Sequence, residues 1–199
     1  MAKPATRTQN EIDRKRRRRR RRLQIVFIYT LIAVGLAWFF ESQATTTVIF
    51  VRHAEKAVLP ADDPGLTEAG QQRAAELARQ LVDADVVPGA GVDAVYSTPF
   101  RRTVETARPV ADALELQIMM YDEADTETFL ETVVREYKGK IILVVGHSNT
   151  VPAMIANMGA SKTVPPIADD EYDNIYLVSI PWFGKTKTIR LRYGEPYIP

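Results

Sequence analysis

Across residues 46–158, short apolar runs alternate with stretches whose apolar residues recur every three or four positions. That alternation predicts strands interleaved with helices. Thr46–Arg52 (TTVIFVR) reads as a first strand, and Ala57–Gly65, with two prolines, as a loop. Thr67 is placed as an N-cap for a helix reaching about Val82, with Ala74, Leu77, Ala78 and Leu81 on one face. After a turn-rich connection over 86–91, Asp93–Ser97 reads as a second strand. The next helix opens at Pro99 or Phe100 and carries Val104, Ala107, Ala111 and Leu114 on one stripe. Gln117–Tyr121 reads as a third strand. A helix over Thr126–Tyr137 follows, facing inward through Leu130, Val133, Val134 and Tyr137. Lys140–Val145 is nearly all apolar, as a strand buried on both faces should be, and Thr150–Met158 reads as a helix.

Beyond a Pro-rich, acidic loop over 159–173, Ile175–Ile180 and Thr186–Arg192 form a hairpin pattern around Phe183-Gly184. Strands interleaved with helices predict a three-layer α/β/α sandwich with a mostly parallel sheet, in one domain over 45–199. The cluster Asp169, Asp170, Glu171 and Asp173 reads as a solvated loop.

The leader has a different pattern. Residues 1–13 are polar and read as irregular; residues 14–22 are an unbroken run of nine cations. From Leu23 to Phe40 there are 18 residues without a charge, close to the roughly 20 that span a bilayer as a helix. Trp38, Phe39 and Phe40 stand where an interfacial aromatic belt would sit. The expected organisation is a basic cytoplasmic tail (1–22), a transmembrane helix or signal core (23–40) and the domain at 45–199. Cations on the near side of the apolar stretch place the domain outside the cytoplasm. It would then be single-pass and membrane-bound through Leu23–Phe40, periplasmic in a Gram-negative cell. The alternative is secretion after cleavage near Ala44, where Ser42-Gln43-Ala44 has small-x-small form.

Charge sharpens that division. Of 26 Lys+Arg and 25 Asp+Glu, residues 1–44 hold 11 and 3, leaving 15 and 22 for residues 45–199. The leader is thus +8 and the body −7, which argues against a nucleic-acid partner for the body. With no cysteine there is neither a disulfide framework nor thiolate chemistry.

Only two histidines occur, and each follows an apolar strand: His53 in VIFVRHAEK and His147 in IILVVGHSNT. Ligands of open parallel sheets bind at the carboxyl ends of the strands. Ser97–Arg102 (STPFRR) supplies a third such end. Imidazole serves as a covalent nucleophile, and guanidinium matches phosphate oxygens. VRHAEK, GLTEAGQQRAAEL, VYSTPFRRTVETA and VVGHSNT, in that order, resemble the histidine phosphatase superfamily, the phosphoglycerate-mutase-like clan, in its short bacterial RHAEK form. The resemblance implies a phosphoglycerate-mutase-like fold and a phosphoric monoester hydrolase in which His53 becomes phosphohistidine. It makes Arg52 and Arg102 the substrate-binding arginines and His147 the second histidine. Glu123 is the first choice as proton donor and Glu55 the alternative. No cofactor and no metal are expected. The chain lacks the Asn that mutases carry after the first motif, having Ala57 and Val58 there, so plain hydrolysis is favoured. The expected substrate is a small-molecule or envelope phosphoester outside the cytoplasm. The alternatives are a protein phosphohistidine phosphatase and a non-catalytic module that binds a phosphorylated ligand. No oligomeric state follows from the sequence.

Overall fold

Val48 and Phe50 point to one face of the first strand, Ile49 and Val51 to the other, and all four are fully buried. A strand buried on both faces must be covered on both, and this sets the layering. The computed structural model describes residues 5–42, 45–83, 91–160, 164–182 and 184–198. The chain divides into two units, residues 1–43 and 44–199.

In the first unit, α1 (Ala5–Ser42) is one helix of 38 residues. Residues 14–40 are long and apolar enough to cross a membrane. Part of the tail expected to be irregular, from Ala5 on, is helical instead; Arg and Lys are good helix formers and extend a helix already nucleated by the apolar segment. Gln43 and Ala44 of the candidate cleavage site lie outside the described residues.

The second unit contains β1 (Thr45–Arg52), α2 (Glu68–Ala78), β2 (Ala94–Ser97), α3 (Arg101–Ala113), β3 (Ile118–Met120), α4 (Thr126–Glu136), β4 (Ile141–Gly146), α5 (Thr150–Asn157), β5 (Asn174–Pro181) and β6 (Lys187–Arg192). A wide helical turn, Arg79–Asp83, extends α2. The six strands form one sheet in the order β3-β2-β4-β1-β5-β6. Val48, Phe50, Ile142 and Val144 pack with Leu130 and Val133 of α4 and Val151, Met154 and Ile155 of α5. On the opposite face Ile49, Val51, Leu143 and Val145 pack with Leu77 of α2 and Ala107, Val110 and Ala111 of α3. The fold is therefore a three-layer α/β sandwich.

β3, β2, β4 and β1 run parallel. β5 is antiparallel to β1, and β6 to β5. The expectation of a mostly parallel sheet thus holds for one side and loosens at the other, where a hairpin replaces a helical crossover. Most of the expected 86–91 connection, and Phe183 of the hairpin turn, fall outside the described residues.

Thr67 caps α2, its hydroxyl accepting from Gly70 N–H at 3.1 Å. Gly70 sits where a Cβ would come within 2.3 Å of the Glu55 carbonyl oxygen, a backbone atom that cannot swing aside. The segment leaving β1 is thereby pressed against the start of α2. Replacing Gly70 with Ala should lower stability by about 1–3 kcal/mol, the usual range for overpacking. Urea denaturation of the variant measures this, and an unchanged midpoint would contradict the contact.

Candidate active site

The ends of three parallel strands lie level. Arg52 of β1 pairs with Gly146 of β4, and Ser97 of β2 with Val145 of β4. The next residues, His53, Thr98 and His147, therefore leave the sheet together, with His53 N–H donating to the Gly146 carbonyl at 2.9 Å. Gly146 allows this crowding: a Cβ there would meet the Tyr121 hydroxyl at 2.9 Å and Thr150 Oγ1 at 3.1 Å. The two imidazoles lie with ring centroids 5.5 Å apart, inclined at 63°. They are 4% and 6% exposed, so both are nearly dehydrated.

Burial decides their protonation. The His53 pKa is pulled down to about 3, first by desolvation and then by Arg52, His147 and Arg102, against a raising contribution from its Ala54 hydrogen bond. His147 is pulled down to about 4 by desolvation and the cations of Arg102, Arg52 and Lys56. Both rings are neutral at physiological pH. His53 Nδ1 lies 2.8 Å from the Ala54 carbonyl, which can only accept, so Nδ1 carries the proton and Nε2 the lone pair. Ala54 is held in turn by its N–H donating to Thr106 Oγ1 at 2.9 Å.

His147 Nδ1 is 3.5 Å from a terminal nitrogen of Arg102, which can only donate. We therefore assign the His147 proton to Nε2, which lies 3.1 Å from both Thr98 Oγ1 and Glu123 Oε2. Because His147 is neutral, the Glu123 contact is a hydrogen bond and not an ion pair. Arg102, on the first turn of α3, packs its guanidinium 4.3 Å over the Phe100 ring. Arg101 instead pairs with Glu105 on the outside of the helix at 2.9 Å.

Arg52 is 6% exposed, and its guanidinium lies 4.2 Å from the centre of the Tyr172 ring. One terminal nitrogen donates to the Ala168 and Glu171 carbonyls at 2.5 and 3.1 Å, and the other to the Asp169 carbonyl at 2.8 Å. Three of its five N–H donors are thus engaged, and Nε is buried without a partner.

Glu123 follows β3 and reaches the histidine pair, with its side chain 40% exposed. Glu55 does not: its carboxylate is paired with Arg73 Nε at 2.8 Å. Beside Glu123 a cavity of about 400 Å³ is lined by Pro99, Phe100, Met120, Tyr121, Asp122 and Glu123.

The acidic cluster departs from expectation in half of its members: Asp169 and Asp170 are exposed, whereas Glu171 and Asp173 are 6% and 0% exposed, because Arg190 and Arg192 of β6 neutralise them. Tyr172 between them stands 6.0 Å from His53. Neither Tyr172 nor Thr98 stood out in the sequence. Thr98 lies within STPFRR and Tyr172 within IADDEYDNIYLV, and the alternation of charge in β6 was the only sign of a partner for the acids.

The strand ends of this three-layer α/β domain thus gather two neutral histidines and two arginines. Residues 48–128 match the model of the histidine phosphatase superfamily (branch 1), 81 of the chain's 199 residues. Phosphoserine phosphatase 1 of Hydrogenobacter thermophilus is 35% identical over 81 residues, 38% of this chain and 36% of that protein. The aligned segment thus spans about a third of that relative's length. Among solved structures, the protein histidine phosphatase SixA complexed with tungstate superposes with a TM-score of 0.59 at 21% identity, over 73% of this chain and 96% of that one. A phosphoserine phosphatase mutant of Entamoeba histolytica in complex with phosphoserine gives 0.53 at 15% identity, over 74% and 96%. At these identities the structures speak for the fold.

The depressed histidine pKa values have a thermodynamic consequence. Below pH 6.5 the unfolded imidazoles take up protons while the folded ones stay neutral, so the unfolded state binds more protons and stability falls. The stability these groups contribute is complete above about pH 6.5 and is lost progressively toward pH 3–4. Side-chain ¹⁵N spectra of the histidines should show both rings neutral at pH 5.5. A titration of either near 6.5 would refute the buried geometry.

Proposed function

We propose that the protein is a phosphomonoester hydrolase that works through a phosphohistidine on His53. The observation that carries this reading is the pair of neutral imidazoles 5.5 Å apart beside Arg52 and Arg102. In the first step the His53 Nε2 lone pair forms the N–P bond as the ester P–O bond breaks. The leaving oxygen takes a proton from the Glu123 carboxyl. In the second, water attacks phosphorus, its proton passes to Glu123, and the N–P bond breaks to restore neutral His53 and release phosphate. Arg52 and Arg102 hold the non-bridging oxygens, and His147 donates through Nε2–H as charge develops on them. Fixed donors in a dehydrated pocket supply the positioning and charge stabilisation that phosphoryl transfer needs.

Glu123 is favoured over Glu55 as the acid because it touches His147, whereas Glu55 is turned toward Arg73. The adjoining cavity of about 400 Å³, whose lining includes Phe100, Met120 and Asp122, receives the alcohol part of the substrate. That favours a small ester whose alcohol brings no further negative charge.

The domain acts outside the cytoplasm, on a soluble or envelope-associated phosphoester. The cationic run before the apolar helix supports this orientation.

Full-length protein in detergent should hydrolyse p-nitrophenyl phosphate, and an alkaline quench should trap an acid-labile phosphoenzyme. His53→Ala should lose the phosphoenzyme and about three or more orders of magnitude in turnover. Full activity in that variant would end the proposed mechanism. Glu123→Gln should slow an aliphatic phosphoester by about 100-fold and the p-nitrophenyl ester, whose leaving group needs no acid, much less. Equal slowing of both would remove Glu123 from the acid role. Protease added outside spheroplasts should digest the domain, and protection would place it in the cytoplasm, where a phosphoprotein substrate becomes the better reading.

A further inference from the structure

We propose that Glu171, clamped by Arg190 and Arg192, is a positioning residue that aims Arg52 at the phosphoryl group. The proposal rests on the reading of Arg52 as an oxyanion ligand and extends it to residues with no access to substrate.

The turn that cages Arg52 is short, and all three of its acceptors are backbone carbonyls, those of Ala168, Asp169 and Glu171. Their direction depends on how that turn is held. Glu171 closes it upon itself, its Oε2 accepting from Ala168 N–H at 3.2 Å and its own N–H donating to the Ala168 carbonyl at 3.0 Å. The other carboxylate oxygen is gripped from β6, by Arg190 at 2.6 Å and Arg192 at 3.4 Å. Arg190 also bonds Asn174 Oδ1 at 2.6 Å, and Arg192 bonds Asp173 at 2.7 Å, so both clamps are braced on the start of β5.

The chain of contacts therefore runs from β6 through the Glu171 carboxylate to the turn, and from the turn to Arg52. Each link is a charge-assisted bond or a buried carbonyl contact, both of which are sensitive to direction. Burying a carboxylate is costly, and hydrophobic packing can replace a buried ion pair without loss of stability, so stability alone does not account for this one. Carbonyl acceptors also leave the Arg52 charge intact. A carboxylate in direct contact with that guanidinium would compete with the phosphoryl group for it.

A structural tie and a positioning role are separated by a double-mutant cycle on the full-length protein. Inorganic phosphate binding is measured by calorimetry, independently of turnover, for wild type, Glu171→Gln, Arg52→Ala and the double variant. Glu171→Gln should weaken phosphate binding about tenfold, roughly 1.4 kcal/mol, in the wild-type background and not at all once Arg52 is gone. Equal losses in both backgrounds, or no loss in either, would overturn the proposal. Should Glu171→Gln fail to fold, Arg190→Gln on the half-exposed hairpin takes its place in the same cycle, with the same two outcomes. Arg190→Lys, which keeps the charge, should recover part of the binding lost in Arg190→Gln. Wild-type protein that binds phosphate without turning over p-nitrophenyl phosphate would sink the hydrolase reading alone. Wild-type protein that binds no phosphate would sink both.

Discussion

The level ending of β1, β2 and β4 is the constraint from which the site follows. Parallel pairing aligns Arg52 with Gly146 and Ser97 with Val145, so chain segments 94 residues apart from His53 to His147 leave the sheet at one height. A one-residue slip in register would turn every side chain of a strand to the opposite face. Slippage is resisted because both faces of β1 and β4 are packed: Val48, Phe50, Ile142 and Val144 on one side, Ile49, Val51, Leu143 and Val145 on the other. The hydrophobic core and the histidine pair are thus two consequences of one pairing pattern.

Dehydration then sets the protonation of the groups that the strands position. Imidazoles open to water would be partly protonated near neutrality and poor nucleophiles. Here the burial that closes the core around the strand ends also removes that proton, and the flanking guanidiniums push in the same direction. Arg52 and Arg102 therefore help burial to keep His53 unprotonated. The Ala54 carbonyl settles which ring nitrogen keeps the lone pair.

Much of this was legible along the chain. Apolar runs of strand length and helical stripes survive as elements because each buried face leaves a periodic trace, as in Ala74, Leu77 and Leu81 of α2 and its extension. The two histidines were conspicuous because nothing else in the chain shares their chemistry. What stayed hidden depended on contacts across the sheet. Glu55 and Glu123 look alike as carboxylates near a motif, and only the fold shows that Arg73 takes one and His147 meets the other. Glu171 and Asp173 read as solvated because sequence places them among acids, while their arginine partners arrive 19 to 21 residues later along an edge strand. The hairpin of β5 and β6 was legible, but its antiparallel docking on β1 was not, because a strand's own pattern records that it is buried and not which way its neighbour runs.

The treatment of Arg52 shows why a sheet of this kind needs that antiparallel hairpin. A guanidinium buried at a strand end must have its donors satisfied, since each unpaired donor in a dry site costs about 1–3 kcal/mol. Satisfying all five would leave nothing for a ligand. Three are satisfied by carbonyls of the turn before β5, and Nε remains buried and unpaired. An unsatisfied donor of that kind raises the free energy of the folded state, and rotation of the guanidinium toward water would relieve it. Tyr172 lies against its face at 4.2 Å and the turn grips its edge, so rotation would break cation–π and hydrogen-bond contacts together. The turn keeps its shape because β5 and β6 arrive from the other direction and bring Arg190 and Arg192 to the end of the sheet where β1 finishes. Another parallel strand would enter from the far end and could not place its first residues there.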